Sequence, residues 1–228
     1  MGADAVVEVA GETLWLLGGR AVYRPSRGQL LIADLHLGKG DVFRRAGLAL
    51  PRGGTRHDLD CLARLVDATG AREVLVLGDV LHGPAHDTTW RRDFDAWREA
   101  YAGIEVGALA GNHDRALPGA NLAITLHGPG IDDVPFALRH DCDLVPGLHV
   151  LCGHLHPVVS LPGIVRRRWP VFWLRPDVTV LPAFSAFTGG FRVDPRVGER
   201  VGVCVDDGVV LMDGAAFEPT PRRFGRRR

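Results

Sequence analysis

The chain has 228 residues, 46% of them hydrophobic and 24% charged, with a formal net charge of zero. That composition excludes disordered and collagen-like chains, and the length allows one substantial core, so a single domain over residues 1–220 is expected. Apolar runs are about strand length and broken by Gly, Pro or charge, short of the roughly 18 residues of a membrane span. Met1-Gly2-Ala3-Asp4 starts no basic-then-apolar leader, so a cytoplasmic protein with no membrane partner is expected. Zero net charge does not advertise a nucleic-acid binder, but the charge is unevenly placed. Pro221 to Arg228 hold five arginines, which leaves −5 for the first 220 residues. This arginine-rich tail, 221–228, reads either as a flexible solvated end or as a grip on a phosphate backbone. Arg166, Arg167 and Arg168 form a second basic run with the same two readings.

In chain order, Val6 to Val9, Thr13 to Leu17 and Ala21 to Tyr23 read as short strands separated by Gly-containing turns. A further strand leads into Ala33-Asp34-Leu35-His36, and a short helix is expected around Asp41 to Ala46. From Thr55 the period becomes helical, with Leu59, Leu62, Leu65 and Val66 on one face and Gly70 as the stop. Val74 to Leu77 reads as a buried strand ending at Gly78-Asp79. Thr88 or Thr89 can cap a second long helix, whose Trp90, Phe94, Trp97 and Tyr101 stripe has the spacing of core packing rather than of a base-stacking surface. Ile104 to Ala110 then runs into Gly111-Asn112-His113-Asp114. Beyond it strands dominate: Asn121 to Leu126, Val134 to Leu138, Leu148 to Cys152, Val171 to Leu174, Val178 to Leu181, Val201 to Val205 and Val209 to Met212. Strands alternating with helices, followed by a run of strands, imply two stacked sheets with helices outside.

Short polar motifs stand at the ends of these apolar runs: Asp34-Leu35-His36, Gly78-Asp79, Gly111-Asn112-His113-Asp114, Arg139-His140 and Gly153-His154-Leu155-His156. In layered α/β folds, sites gather beyond the carboxyl ends of strands. Extended residues at i and i+2 face the same way, so Asp34 with His36, and His154 with His156, can each serve one pocket. Oxygen and nitrogen donors without thiolates suit two first-row divalent ions better than a structural zinc. Two such ions can clamp a phosphate ester and acidify water as the nucleophile, and a carboxylate between them would hold their spacing. Cys61, Cys142, Cys152 and Cys204 have no C-x-x-C spacing and read as reduced, mostly buried thiols rather than ligands.

The order D-x-H, G-D, G-N-H-D, H, G-H-x-H, from Asp34 to His156, closely resembles the calcineurin-like metallophosphoesterase superfamily. The resemblance implies a four-layer α/β/β/α sandwich of two mixed sheets flanked by helices. It also implies that Asp34, His36 and His156 hold one metal, that Asn112, His140 and His154 hold the other, and that Asp79 bridges. His113 would face the substrate and protonate the leaving alkoxide or stabilise phosphate charge, with Asp114 accepting its other ring proton. His82 departs from the commonest form of the motif after Gly78-Asp79 and would contact a ligand or the substrate. Lys39, the only lysine, could approach a phosphate, as could Arg44, Arg45 and Arg52, which a solvated helix face explains equally well. His57, His86, His127 and His149 match no motif and read as structural or surface residues.

Within the superfamily, the stretches Ala33 to Gly40, Leu77 to Gly83, Gly153 to Pro157 and Leu181 to Gly190 resemble the bacterial ligase-associated DNA damage response endonucleases of the PdeM group, where the His82 form is the expected one. That finer resemblance implies a manganese-dependent phosphodiesterase acting on DNA, with iron, zinc or nickel as alternatives. Its functional partners would be an ATP-dependent DNA ligase, a helicase and an exonuclease. A phosphodiesterase or phosphatase for small nucleotides, and a catalytically vestigial metal-binding scaffold of a repair complex, are the competing readings. Strand preference, endo or exo action, oligomeric state and the role of Phe184 to Gly190 stay open.

Overall fold

The computed structural model describes residues 4–82, 88–161, 167–206 and 208–217. Arg166, His86 and the arginine-rich tail lie outside the described residues.

The first sheet begins with an antiparallel meander, β1 (Ala5–Val9), β2 (Glu12–Leu17), β3 (Ala21–Arg24) and β4 (Gln29–Ile32). Helices α1 (Lys39–Arg45) and α2 (Gly54–Thr69) then lead to β5 (Glu73–Val76), which lies parallel to β4. Helix α3 (Thr88–Ala100) leads to β6 (Glu105–Ala108), and β7 (Thr125–Leu126) completes a seven-stranded sheet in chain order. Alternation on β4 and β5 shows why these segments are apolar throughout. Leu30, Ile32, Val74 and Val76 pack toward the helices, while Leu31, Ala33, Leu75 and Leu77 pack toward the second sheet.

Helix α2 buries Leu59, Leu62 and Val66, and it ends where Gly70 takes φ 65° and its N–H meets the Val66 carbonyl at 2.9 Å. On α3 the aromatic stripe is core, as its spacing implies: Trp90, Phe94 and Trp97 are 2%, 1% and 6% exposed. Each such ring stabilises the fold by roughly 2–3 kcal/mol relative to exposure.

The second sheet contains β8 (Gly130–Asp133), β9 (Phe136–Arg139), β10 (His149–Cys152), β11 (Pro157–Ser160), β12 (Arg168–Leu174), β13 (Val178–Val180) and β14 (Phe191–Arg192). Their order is β14-β11-β12-β13-β10-β9-β8, and the hairpin β15 (Arg200–Val205) and β16 (Gly208–Asp213) joins through β12. Strand β10 runs parallel to both of its neighbours, β9 and β13. Phe136, Leu138, Leu151, Phe172 and Leu181 face the first sheet and close the central core. The fold is therefore the α/β sandwich of two mixed sheets. Among the described residues, α2 and α3 pack against the first sheet, α1 lies against α2, and the outer face of the second sheet is covered by loops and the 3₁₀ turn Gly214–Phe217.

A buried charge also ties the sheets together. Arg24 at the end of β3 is 0% exposed; it donates to Glu12 at 3.0 Å and to Asp133 on β8 at 2.8 Å, and lies 5.0 Å from the Phe136 ring centroid.

The sequence pattern does not mark β8, β11 or β14, and it overstates the strand expected over Asn121 to Leu126, of which only Thr125–Leu126 pairs. Among the described residues, no helix is long and apolar enough to cross a membrane.

Candidate metal centre

The polar motifs converge because the strands that carry them end at one edge of the sandwich. Asp34 and His36 follow β4, Asp79 follows β5, Asn112 and His113 follow β6, His140 follows β9, and His154 and His156 follow β10. Beyond the strands, the backbone stays paired: the Asp34 N–H meets the Gly78 carbonyl at 3.2 Å, and the His36 N–H meets the Asp79 carbonyl at 2.8 Å. The loops are thus held in register, and the ligands do not hang from free chain.

On one side, Asp34, His36 and His156 place ligand atoms within 4.8 Å of one another, with His156 Nε2 at 3.4 Å from Asp34 Oδ1. On the other, His140 Nε2 and His154 Nδ1 are 3.2 Å apart, and the Asn112 amide is 3.4 Å from the same His154 nitrogen. Asp79 stands between the two groups. Its Oδ2 is 4.0 Å from His36 Nε2, and its Oδ1 is 3.6 Å from His140 Nε2. The seven residues expected as ligands are therefore brought together, with Asp79 between the two groups.

Three observations show that these donors fit metal ions. Both ring nitrogens of His36, and Nε2 of His156, are buried without a hydrogen-bond partner, a costly arrangement unless a ligand completes it. Burial, with the Lys39 amine next, drives the His36 pKa down to about 2, so its imidazole is neutral, the state a metal requires. The tautomers are also set. His140 Nδ1 donates to the Leu77 carbonyl at 2.8 Å and His156 Nδ1 donates to the Gly189 carbonyl at 3.2 Å, which turns each Nε2 lone pair inward. Thiols take no part: among the described residues no cysteine joins a ligand cluster. Cys142 and Cys152 are free thiols with sulfurs 2.7 Å apart.

Backbone conformation is unusual here. Asp34, His36, Asp79, His154 and His156 all have positive φ, between 48° and 67°. Non-glycine residues visit this left-handed region at a cost of about 1 kcal/mol or more each. The glycines of the motifs answer a different need, close approach. A Cβ on Gly111 would lie 2.2 Å from the Asp79 nitrogen, and one on Gly78 would lie 2.3 Å from His140 Nδ1.

His113 is exposed at the mouth of the centre. Its ring stacks on His82 with centroids 5.0 Å apart and meets His36 edge-on at 5.6 Å, while its backbone N–H donates to Asp79 Oδ1 at 2.9 Å. His82 also lies 5.2 Å from His36, and burial, then Lys39 and His113, lowers its pKa. Lys39 is 8% exposed; burial lowers its pKa, and the nearby Asp34 and Asp79 carboxylates offset this in part.

Asp114 departs from the expected role. It is 5% exposed, and its oxygens accept the Leu81 N–H and the Gly111 N–H, both at 2.9 Å, so they are committed to backbone and not to the His113 ring. Its carboxylate clamps the β5 and β6 loops together; the side chain of a 3₁₀ turn, Asp114–Ala116, naturally turns back on the loop that precedes it.

One further candidate emerges only in the structure. Asp141 lies 3.6 Å from His154 Nδ1 and forms a cluster with His140 and His154. Its position beside His140 is the only signal in the sequence, and an exposed loop carboxylate is too common to be read from that alone. Of the remaining histidines, His149 is structural, bonded to Thr179 at 2.9 Å.

The Phe184 to Gly190 segment supports the site from below. Phe184 and Ser185 donate backbone N–H groups to the Ala33 and Asp34 carbonyls, the buried Asp58 accepts the Ala186 N–H, and Gly189 holds His156.

A family model for calcineurin-like phosphoesterases matches residues 30–190. Among solved structures, the chain is similar to Pseudomonas putida nuclease MPE, with 34% identity and a TM-score of 0.79 over 90% of this chain and 99% of that one. It is also similar to Yfce, a phosphoesterase from E. coli, at 16% identity and a TM-score of 0.42 over 83% and 94% of the two chains. Curated proteins gave no match. The chain belongs to the calcineurin-like phosphoesterase family and is a metal-dependent phosphoesterase.

Proposed function

We propose that this protein is a two-metal phosphodiesterase that acts on DNA as a nuclease, with manganese as its working ion. One observation carries the reading: Asp79 offers one oxygen to each of two ligand sets, and the open side of that pair is occupied by His113. Ions held there would neutralise phosphate charge and acidify water. The chain's own residues do the rest. Asp34, Asp79, Asn112 and the imidazoles of His36, His140, His154 and His156 would hold the ions. His113 stands where a leaving oxygen needs a proton, and Lys39 adds positive charge beside Asp34 and Asp79. The exposed His113 beside a full ligand set argues against a catalytically vestigial metal-binding scaffold, which needs the ligands alone. Asn112, His113 and His154 are exposed, which suits a polymer passing over the centre better than a small nucleotide sealed within it. The similarity to a nuclease at 34% identity supports the same substrate class. A DNA-repair setting, with an ATP-dependent ligase, a helicase and an exonuclease as functional partners in the cytoplasm, completes the reading.

The test is an assay with manganese on bis-p-nitrophenyl phosphate, p-nitrophenyl phosphate, and single- and double-stranded DNA. Turnover of both the diester and DNA is expected. Cleavage of the monoester alone would sink the nuclease reading.

A further inference from the structure

Beside His156 lies a cleft of about 430 Å³ walled by Arg20, Arg167, Arg168, His156, Thr188 and Gly190, among others. That volume is within the range of roughly 300–1,000 Å³ typical of ligand pockets. Among the described residues its lining is basic and contains no carboxylate, which sets it apart from the cleft of similar size near α1, where Arg44 and Arg52 share the walls with Asp41 and Asp93.

The three arginines are arranged as donors still in need of an acceptor. Arg20 uses one nitrogen on the Ala183 and Ser185 carbonyls at 3.4 and 3.2 Å, and Arg168 uses one on the Gly190 carbonyl at 3.5 Å. A guanidinium has five N–H donors, so both retain free ones. Arg167 lies over the Trp169 ring at 3.8 Å, which fixes its plane while leaving its edge open. Among the described residues, none of the three forms an ion pair with a carboxylate. The buried Asp58, which feels the charge of Arg20, is already bonded to the Ala186 N–H. Uncompensated guanidinium groups in a concave wall suit a phosphate, which they can bind through paired N–H donors.

We propose that this cleft is a subsite for a backbone phosphate of the same nucleic-acid strand whose scissile phosphodiester lies on the metal centre, with Arg167 and Arg168 as its gripping residues. His156 borders both places, so a strand leaving the centre on this side enters the cleft directly. The inference rests on the nuclease reading above and adds where the strand runs. It also gives Arg167 and Arg168 of the second basic run a role and explains how a chain of zero net charge can hold a polyanion: it concentrates unpaired charge in one groove.

The experiment compares the full-length manganese-loaded protein with its Arg167→Ala/Arg168→Ala double variant. Two substrates are used: a fluorescent oligonucleotide at several salt concentrations, and bis-p-nitrophenyl phosphate, which is too short to span both places. For the oligonucleotide, kcat/KM should fall about tenfold or more, chiefly through KM, and the salt slope should flatten by about two, one for each arginine that no longer neutralises a phosphate. The ratio of oligonucleotide to small-diester efficiency should fall with it. An unchanged ratio, whether both activities persist or both decline together, overturns the subsite. If the unmodified protein hydrolyses the small diester but cleaves no nucleic acid, the nuclease reading fails and takes the subsite with it, an outcome visible before any variant is made.

Discussion

Asp34 and His36, on the β4 side of the metal centre, are 0% and 3% exposed, whereas Asn112 and His154 on the other side are exposed, the His154 side chain by 39%. The two halves draw on similar donors, so the difference lies in the elements that carry them. The buried half stands between the two sheets at the end of a central strand, supported by the Phe184 to Gly190 segment. In the other half only His140, 2% exposed, is buried, whereas Asn112 on the β6 loop and His154 on the β10 loop are open to solvent. Charges interact more strongly where water is excluded, so an ion in the buried half should exchange slowly and one in the open half quickly. The open half is then the one that meets substrate.

The heaviest test of this contrast removes what the halves share. Asp79→Ala should deplete both ions and lower kcat by about a thousandfold or more, a loss on the scale of over 4 kcal/mol of transition-state stabilisation. Metal analysis alongside turnover checks it, and near-normal values for both would mean that Asp79 does not bridge. A sharper comparison pairs His36→Ala with His154→Ala. The first should lose the slowly exchanging ion, and the second only the labile one, with half the metal content retained after dialysis. Equal loss in the two variants would erase the distinction between the halves.

The smallest effect on the centre should come from Arg24→Ala, which breaks the charge cluster between the sheets far from the ligands. Stability should drop by about 3 kcal/mol, because Glu12 and Asp133 lose their partner, while metal content holds. Burial raises the Glu12 pKa, but hydrogen bonds from Arg24 and Ser26 outweigh it and leave the pKa below the usual glutamate range. A lowered carboxylate pKa stabilises the fold above the ordinary value and loses that contribution as pH falls through the folded one. Denaturation of the variant should accordingly lose part of the acid sensitivity of the parent protein between those two pH values. If metal content falls in step with stability, the sheets and the centre are coupled more tightly than their separation implies.

Much of the fold and the centre is legible in the sequence because the information is local. Apolar runs ending in Asp34-x-His36, Gly78-Asp79 and His154-x-His156 report both the strand and the ligand, and burial of Trp90, Phe94 and Trp97 follows from their spacing alone. What escapes depends on distant partners. Strand β8, Gly-Ile-Asp-Asp, has no apolar run, and exists because it pairs with β9 and because Arg24 and Arg139 neutralise its carboxylates. Strand β11 opens on Pro157, a residue that marks a break unless an edge accommodates it. For Asp114, adjacency to His113 says nothing about where the side chain turns, and its backbone partners lie on another loop as well as its own.

The left-handed backbone at Asp34, His36, Asp79, His154 and His156 has a consequence for anyone who evolves or engineers this protein. Summed at about 1 kcal/mol apiece, the conformational cost approaches the whole net stability of a typical domain. Glycine would relieve it at each of these positions, and relieve a buried charge at two of them. A selection for thermal endurance or expression yield alone would therefore favour erasing the ligands first, and would return a tougher protein with an empty centre.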